Sequence, residues 1–229
     1  MESATLSLEQ NRRSAEPTIP VNGWVLFAFV SALYVGLTFL SREFVLTEQL
    51  YYNTYGERLA ADRIREMIQM QEQYAWLGYI VAPFFVVLRD SYVALCLSVG
   101  AILMEHEEMT FRRLFKVALI CEGVFLLQSA LTTFWNAVIA SPETLQEAGT
   151  ALPVSLAALV NPAQLPQWAL YPLQSANLFE ILYVAALSAT LTWTFGKEAG
   201  RMSVLTIASY GIGLLLWIAA ATFFLVQVT

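Results

Sequence analysis

The stretch YAWLGYIVAPFFVVLRDSYVALCLSVGAILM, residues 74–104, decides the fold class of this chain. It is apolar throughout except for Arg89 and Asp90 near its middle. As one helix rising 1.5 Å per residue, it is longer than a hydrocarbon core of about 30 Å requires. Broken at the charged pair, each half falls short of the roughly 17 residues that a full span needs. Length therefore favours one long helix projecting beyond the bilayer, with Pro83 as the place for any bend.

Four further apolar blocks, 21–40, 117–139, 172–195 and 202–226, follow the same logic. Of 229 residues, 58% are hydrophobic and 13% charged, against about a quarter charged in an ordinary soluble domain. The apolar residues come in long blocks rather than at helical or strand periods. That pattern suits hydrocarbon, where every backbone polar group must be paired within its own helix. The expectation is an all-α polytopic transmembrane helical bundle of about five spans, solvated by the lipid bilayer. Residues 1–20 read as a polar cytoplasmic tail and 21–229 as one transmembrane domain. The apolar run from Val21 is about 20 residues long, too long for the core of a cleavable signal peptide, so it reads as a retained first span. A net charge of −6 without any basic run makes nucleic acid an unexpected partner. Cys96 and Cys121 lie within hydrophobic segments and imply no disulfide framework.

The segment 41–73 is polar, and ERLAADRIREMIQMQEQ (57–73) reads as an extramembrane amphipathic helix. Ala60, Ile64, Met67, Ile68 and Gln71 share one side, and Arg58 and Asp62 have i,i+4 spacing. Residues 140–171 contain no Lys or Arg, and Pro142, Pro153, Pro162 and Pro166 break any long helix there. The inner piece ALPVSLAALV is too short to cross and is expected on the outer interface or against the bundle. With five spans and a cytoplasmic N-terminus, seven basic residues fall inside and four outside; a six-span threading with the N-terminus outside gives nine against three. Both place MEHEEMTFRRLFK and GKEAGR in the cytoplasm. Ala185 and Ala189, and Ser209 and Gly213, have the small-xxx-small spacing that allows close helix approach.

Charges within a bilayer are the first candidates for function, since one at mid-helix costs roughly 2.5 to 3.5 kcal/mol. Arg89, Asp90, Glu122 and Glu180 form that set, with Gln128, Asn136 and Asn177 adding hydrogen-bonding capacity. Adjacent residues point about 100° apart on a helix, so Arg89 and Asp90 need separate partners. Glu122 and Glu180, the latter expected about two turns into its span, are the candidates for Arg89. These residues read either as interhelical polar ties or as the lining of a wet cavity. His106, the sole histidine, sits among Glu105, Glu107 and Glu108 without metal-ligand spacing, so no metal is expected. Neither a Walker A run, GxGxxG nor GxSxG occurs, so no cofactor and no enzymatic activity are expected.

The order of MTFRRLFKVALICEGVFLL, a loop, LYPLQSANLFEILYVAALSATL, a short basic loop and a last span resembles the bacterial branch of the Yip1 family. The likeness covers roughly 100–224. Where that family often has an acidic residue before a Leu-Phe pair, this chain has Asn177, with Glu180 three positions later. The resemblance implies a non-enzymatic multi-span protein of the bacterial inner membrane with a cytoplasmic N-terminus. Some bacterial members look like accessory subunits beside ABC exporters, so the leading expectation is an accessory or scaffold protein bound to another membrane protein or complex. The expectation from a different class is a small transporter or channel-like protein with a polar cavity around the four intramembrane charges. Alkaline carbonate washing should leave the chain in the membrane pellet; recovery of folded protein from the aqueous fraction without surfactant overturns the fold assignment.

Overall fold

A computed structural model describes residues 22–150, 154–159 and 167–228; the tail 1–20 lies outside the described residues. Helix α1 (Gly23–Phe44) is started by Asn22, whose side chain accepts the Trp24 N–H at 3.1 Å. The polar segment folds as α2 (Glu48–Tyr55) and α3 (Ala61–Gln73). The decisive block is a single helix, α4 (Ala75–Leu103), with Pro83 inside it. Then come α5 (Phe111–Cys121), α6 (Gly123–Phe134), a π-helical turn (Trp135–Ala140) and α7 (Leu145–Thr150). A short 3-10 turn (Leu156–Leu159), α8 (Gln167–Ser175), α9 (Leu178–Phe195) and α10 (Ala199–Val228) complete the described chain.

Among the described residues, five helical stretches are long and apolar enough to cross a bilayer: Gly23–Phe44, Ala75–Leu103, Phe111–Ala140, Leu178–Phe195 and Ala199–Gln227. Their outward faces carry large apolar side chains such as Phe29, Ile80, Phe84, Ile102, Ile181 and Leu215, all more than half exposed. A water-soluble monomer does not present a contiguous apolar surface on this scale. The chain is a multi-pass helical membrane protein.

The starts of two spans differ clearly from the sequence reading. The third span begins at Phe111, because FRRLFK joins the helix instead of forming a loop. α5 and α6 are two parts of that one span: Glu122 N–H donates to Ala118 O at 2.9 Å and Leu126 N–H to Glu122 O at 3.0 Å across the irregularity. The fourth span begins at Leu178 rather than Pro172, because the chain breaks after Ser175 and Asn177 starts a new helix, its side chain accepting the Glu180 N–H at 2.9 Å. At its other end, α9 stops at Gly196, whose φ of +60° is the left-handed conformation that glycine adopts without strain. In the polar segment Arg58 lies in the turn before α3, so its pairing with Asp62 is not formed; Asp62 instead stands 3.8 Å from Arg65. Of the apolar face expected there, Ile64 is buried and Met67 stays exposed.

The main core joins α4, α5, α9 and α10 through Val93, Leu97, Leu114, Leu187, Leu191 and Leu205, while α1 docks on the side through Val30 against Val86, Leu119 and Leu126. Contacts between loops fix which ends share a side. Glu108, between α4 and α5, is 2.7 Å from Lys197, between α9 and α10, and the Lys197 ammonium holds the Glu108 carboxyl below its usual range. On the opposite side, Leu145 N–H of α7 donates to Thr54 Oγ1 of α2 at 2.9 Å, and Asn136 Nδ2 donates to Ala148 O at 2.9 Å. The apolar piece around Leu156 packs against the α8–α9 junction, with Leu156 N–H donating to Ala176 O and Leu178 N–H to Val154 O.

α4 and α10 approach each other closely at two glycines. A Cβ added at Gly100 would lie 2.6 Å from Ser209 Cβ, and one at Gly213 would collide with Cys96 Sγ. The Ser209 and Gly213 spacing thus serves packing within the chain, whereas Ala185 and Ala189 face outward. Because Ser209 Cβ is fixed to its backbone, Gly100→Ala forces the helices apart. We expect a loss of about 1–3 kcal/mol, reduced by up to about 1 kcal/mol of helix propensity. It reads out as a lower melting temperature in detergent that Ser209→Gly restores.

Candidate functional site

The site is built from one residue on each of several helices. Arg89, near the midpoint of α4, reaches across to Glu122 at the α5–α6 irregularity, with Arg89 Nη2 donating to Glu122 Oε1. Tyr34 of α1 donates its hydroxyl to the same oxygen at 2.8 Å, and Arg89 Nη2 is 3.3 Å from that hydroxyl. The guanidinium also lies over the Phe125 ring, 4.0 Å from its centroid. From Phe125 an aromatic ladder continues to Tyr183 at 4.6 Å between centroids and on to Tyr210 at 5.5 Å. Tyr210 donates its hydroxyl to Glu180 Oε1 at 2.6 Å. Arg89 and Glu180 thus stand at the two ends of one continuous contact path through α4, α6, α9 and α10.

All of these residues except the fully buried Tyr183 line a cleft of about 530 Å³. Arg89, Glu122, Gln128, Asn177 and Glu180, five of the seven residues singled out from sequence, are on its wall. A second cavity of about 490 Å³, running toward Arg42 and Thr133, shares Tyr34, Arg89, Phe125 and Gln128 with the first. Arg89 is partly exposed between them, while Glu122 is fully buried. The choice left open for Arg89 resolves as Glu122. Glu180 occupies the first turn of α9 rather than a position two turns in, so its carboxylate sits where the positive end of the helix dipole favours it.

Asp90 does not join this group. It points into the bundle at 0% exposure, and neither carboxylate oxygen has a hydrogen-bond partner among the described residues. The separate partner expected for it from helix geometry is therefore not a side chain seen here. Asn136 is away from the cleft, tying the π-helical turn to α7. Nor does His106 gather ligands: its Nδ1 is 3.8 Å from Glu108, and no group of three potential metal ligands occurs among the described residues.

Sequence reasoning missed the aromatic half of the site. Tyr92 donates to Gly213 O at 2.7 Å and lies 5.6 Å from the Trp217 ring; Trp217 Nε1 donates to Tyr171 Oη at 2.9 Å. The available signal was the phenol groups at mid-span in α1, α4 and α10, since a hydroxyl within hydrocarbon needs a partner. Asn177 and Glu180 also have capping-box spacing, which would have placed the start of α9 correctly. No family model, no curated protein and no solved structure matches this chain.

Removing one partner of a buried ion pair leaves an uncompensated charge, worth about 3–5 kcal/mol. We expect Glu122→Leu to lower yield and melting temperature sharply, and the double variant Arg89→Leu with Glu122→Leu to recover most of the loss. Equal stability of wild type and Glu122→Leu would exclude the pair as a structural tie.

Proposed function

We propose that this chain is a non-catalytic membrane protein that receives a small solute in an intramembrane cleft, as a small transporter or as the solute-binding subunit of a larger membrane complex. The observation that carries this reading is the convergence of Arg89, Glu122, Gln128, Asn177 and Glu180, from three separate spans, on one cleft. Its volume falls within the range of roughly 300–1,000 Å³ usual for small-molecule sites. Polar ties alone require no such space around them, because a satisfied pair packs most favourably with apolar side chains against it.

The accessory-subunit reading draws on a different observation. Helix α3 buries Ile64 but leaves Met67 and Met70 exposed, and flexible thioether side chains suit an adaptable contact with another protein. An ABC-type exporter as that partner, and a bacterial inner membrane as its setting, rest on the Yip1-like resemblance alone. The two readings combine if the cleft presents a solute to the partner.

Access to the cleft is tested by thiol labelling in a Cys96→Ala, Cys121→Ser background. Ser175→Cys, on the cleft wall, should react with a small membrane-impermeant reagent, whereas Ile181→Cys, which faces outward from α9, should not. An unreactive cysteine at 175 beside a reactive one at 181 would contradict a water-accessible cleft.

A further inference from the structure

We propose that the cleft selects an organic cation, an ammonium-type charge carried on an apolar body; this rests on the solute-binding reading above. Three observations converge on that chemistry. The first is charge balance. The wall carries two carboxylates, Glu122 and Glu180, against one guanidinium. Arg89 is committed to Glu122, Tyr34 and the face of Phe125, so it is not available to an anion. Glu180 has only a neutral phenol, Tyr210, as its hydrogen-bonding side chain, and no Lys or Arg lies within ion-pair distance of it among the described residues. One negative charge is left over, in a setting where low dielectric and the absence of bulk water strengthen its attraction for a cation.

The second observation is the makeup of the walls. Tyr92, Tyr171 and Trp217 form a braced aromatic group, held by the Gly213 carbonyl at one end and by the Trp217–Tyr171 hydrogen bond at the other. All three line the cleft; rings fixed in advance leave little ordering for an occupant to impose, and the face of an aromatic ring attracts positive charge and repels negative charge. The third is Glu122 itself, a fully buried residue on the cleft wall whose Oε2 has no hydrogen-bond partner among the described residues. A carboxylate oxygen only accepts, so this inaccessible oxygen acts on an occupant through its field alone, which favours positive charge in the cleft and disfavours an anion.

The test uses tetraphenylphosphonium and tetraphenylborate, ions of matched shape and opposite charge, on the full chain purified in an uncharged detergent. Tetraphenylphosphonium should bind at least roughly tenfold more tightly than the borate. Glu180→Gln should weaken the phosphonium by roughly tenfold or more and leave the borate unchanged, while Glu180→Asp should stay within about threefold of wild type. The charge-retaining variant separates loss of charge from loss of fold. Displacement of the bound phosphonium by short-chain phosphatidylcholine identifies a lipid headgroup as the source of the cation, displacement by tetraethylammonium identifies a free solute, and displacement by neither overturns ammonium as the class. Borate binding as tight as phosphonium binding, or a phosphonium affinity indifferent to Glu180→Gln, overturns the inference. So does binding of neither ion when Ser175→Cys labels, and in that case the cleft reading stands; an unlabelled Ser175→Cys removes the cleft reading itself.

Discussion

The arrangement of this bundle depends on how a charge at mid-membrane is kept. Arg89 sits near the centre of the longest internal helix, where a lone ionised side chain costs roughly 2.5 to 3.5 kcal/mol even on the milder scales. Glu122 answers it from the third span and Tyr34 from the first, both through the same carboxylate oxygen. That shared contact does more than neutralise charge. α1 meets the bundle through a small apolar cluster around Val30, and lipid gives little reason for one apolar helix to prefer another. The Tyr34 hydroxyl, together with Arg42 Nη1 donating to Tyr79 Oη at 3.4 Å, supplies directional contacts that favour one rotation and depth of α1. Phe125 then covers the guanidinium on another side, so the cation is surrounded by a carboxylate, a phenol and a ring face in place of water.

Irregular backbone occurs where this site needs it. The break between α8 and α9 would be unfavourable in contact with lipid, because unpaired backbone groups have no water to turn to. Here the break is covered: Ser155 pairs with Asn177 in an antiparallel bridge, and the Val154 and Ala176 carbonyls accept hydrogen bonds across it. The consequence is that Glu180 enters the membrane at a helix start, on the cleft wall, instead of midway along a continuous helix. The slight irregularity of the third span falls at Glu122, the residue whose carboxylate meets Arg89. Both carboxylates of the cleft therefore lie at or within a turn of a departure from regular α-helix, and the covering loop is part of the site's support.

Spans were legible in the sequence because a hydrocarbon crossing imposes a length and an absence of charge, both of which can be read off a string of letters. Residues 74–104 resolve as one helix for the stated reason, that neither half would reach across. The intramembrane charges were legible for a similar reason: their placement is costly, so Arg89, Glu122 and Glu180 stand out against their neighbours. What periodicity did not reveal was pairing. Whether Arg89 meets Glu122 or Glu180 depends on how three helices rotate about their own axes, and nearly uniform apolar faces leave that rotation unmarked. The aromatic wall escaped notice because Tyr92, Tyr171 and Trp217 read as interfacial or packing residues until their hydrogen bonds to Gly213 and to each other are seen. Asp90 ran the other way: conspicuous in the sequence, it is turned into the bundle away from the cleft, within electrostatic reach of Tyr34, Tyr183 and Cys121.

The two halves of the membrane thickness are unequal. Toward the loops that hold Glu108 and Lys197, the space between α4, α5, α9 and α10 is filled by Leu97, Ala101, Leu114, Leu187, Leu191 and Met202, all essentially inaccessible. Toward the loops that hold Thr54 and Leu145, the same helices part around the cleft. A solute held in the proposed cleft would lie against Arg89 and Glu180 with a close-packed apolar plug beyond them. Passage past that point would require the plug to separate and the Glu108–Lys197 contact at its end to break. Close packing resists gradual deformation, so such an opening would be a switch between two packings rather than a widening. The Gly100 and Ser209 contact, the tightest between α4 and α10 that lies beside the plug, is the natural line along which it would divide.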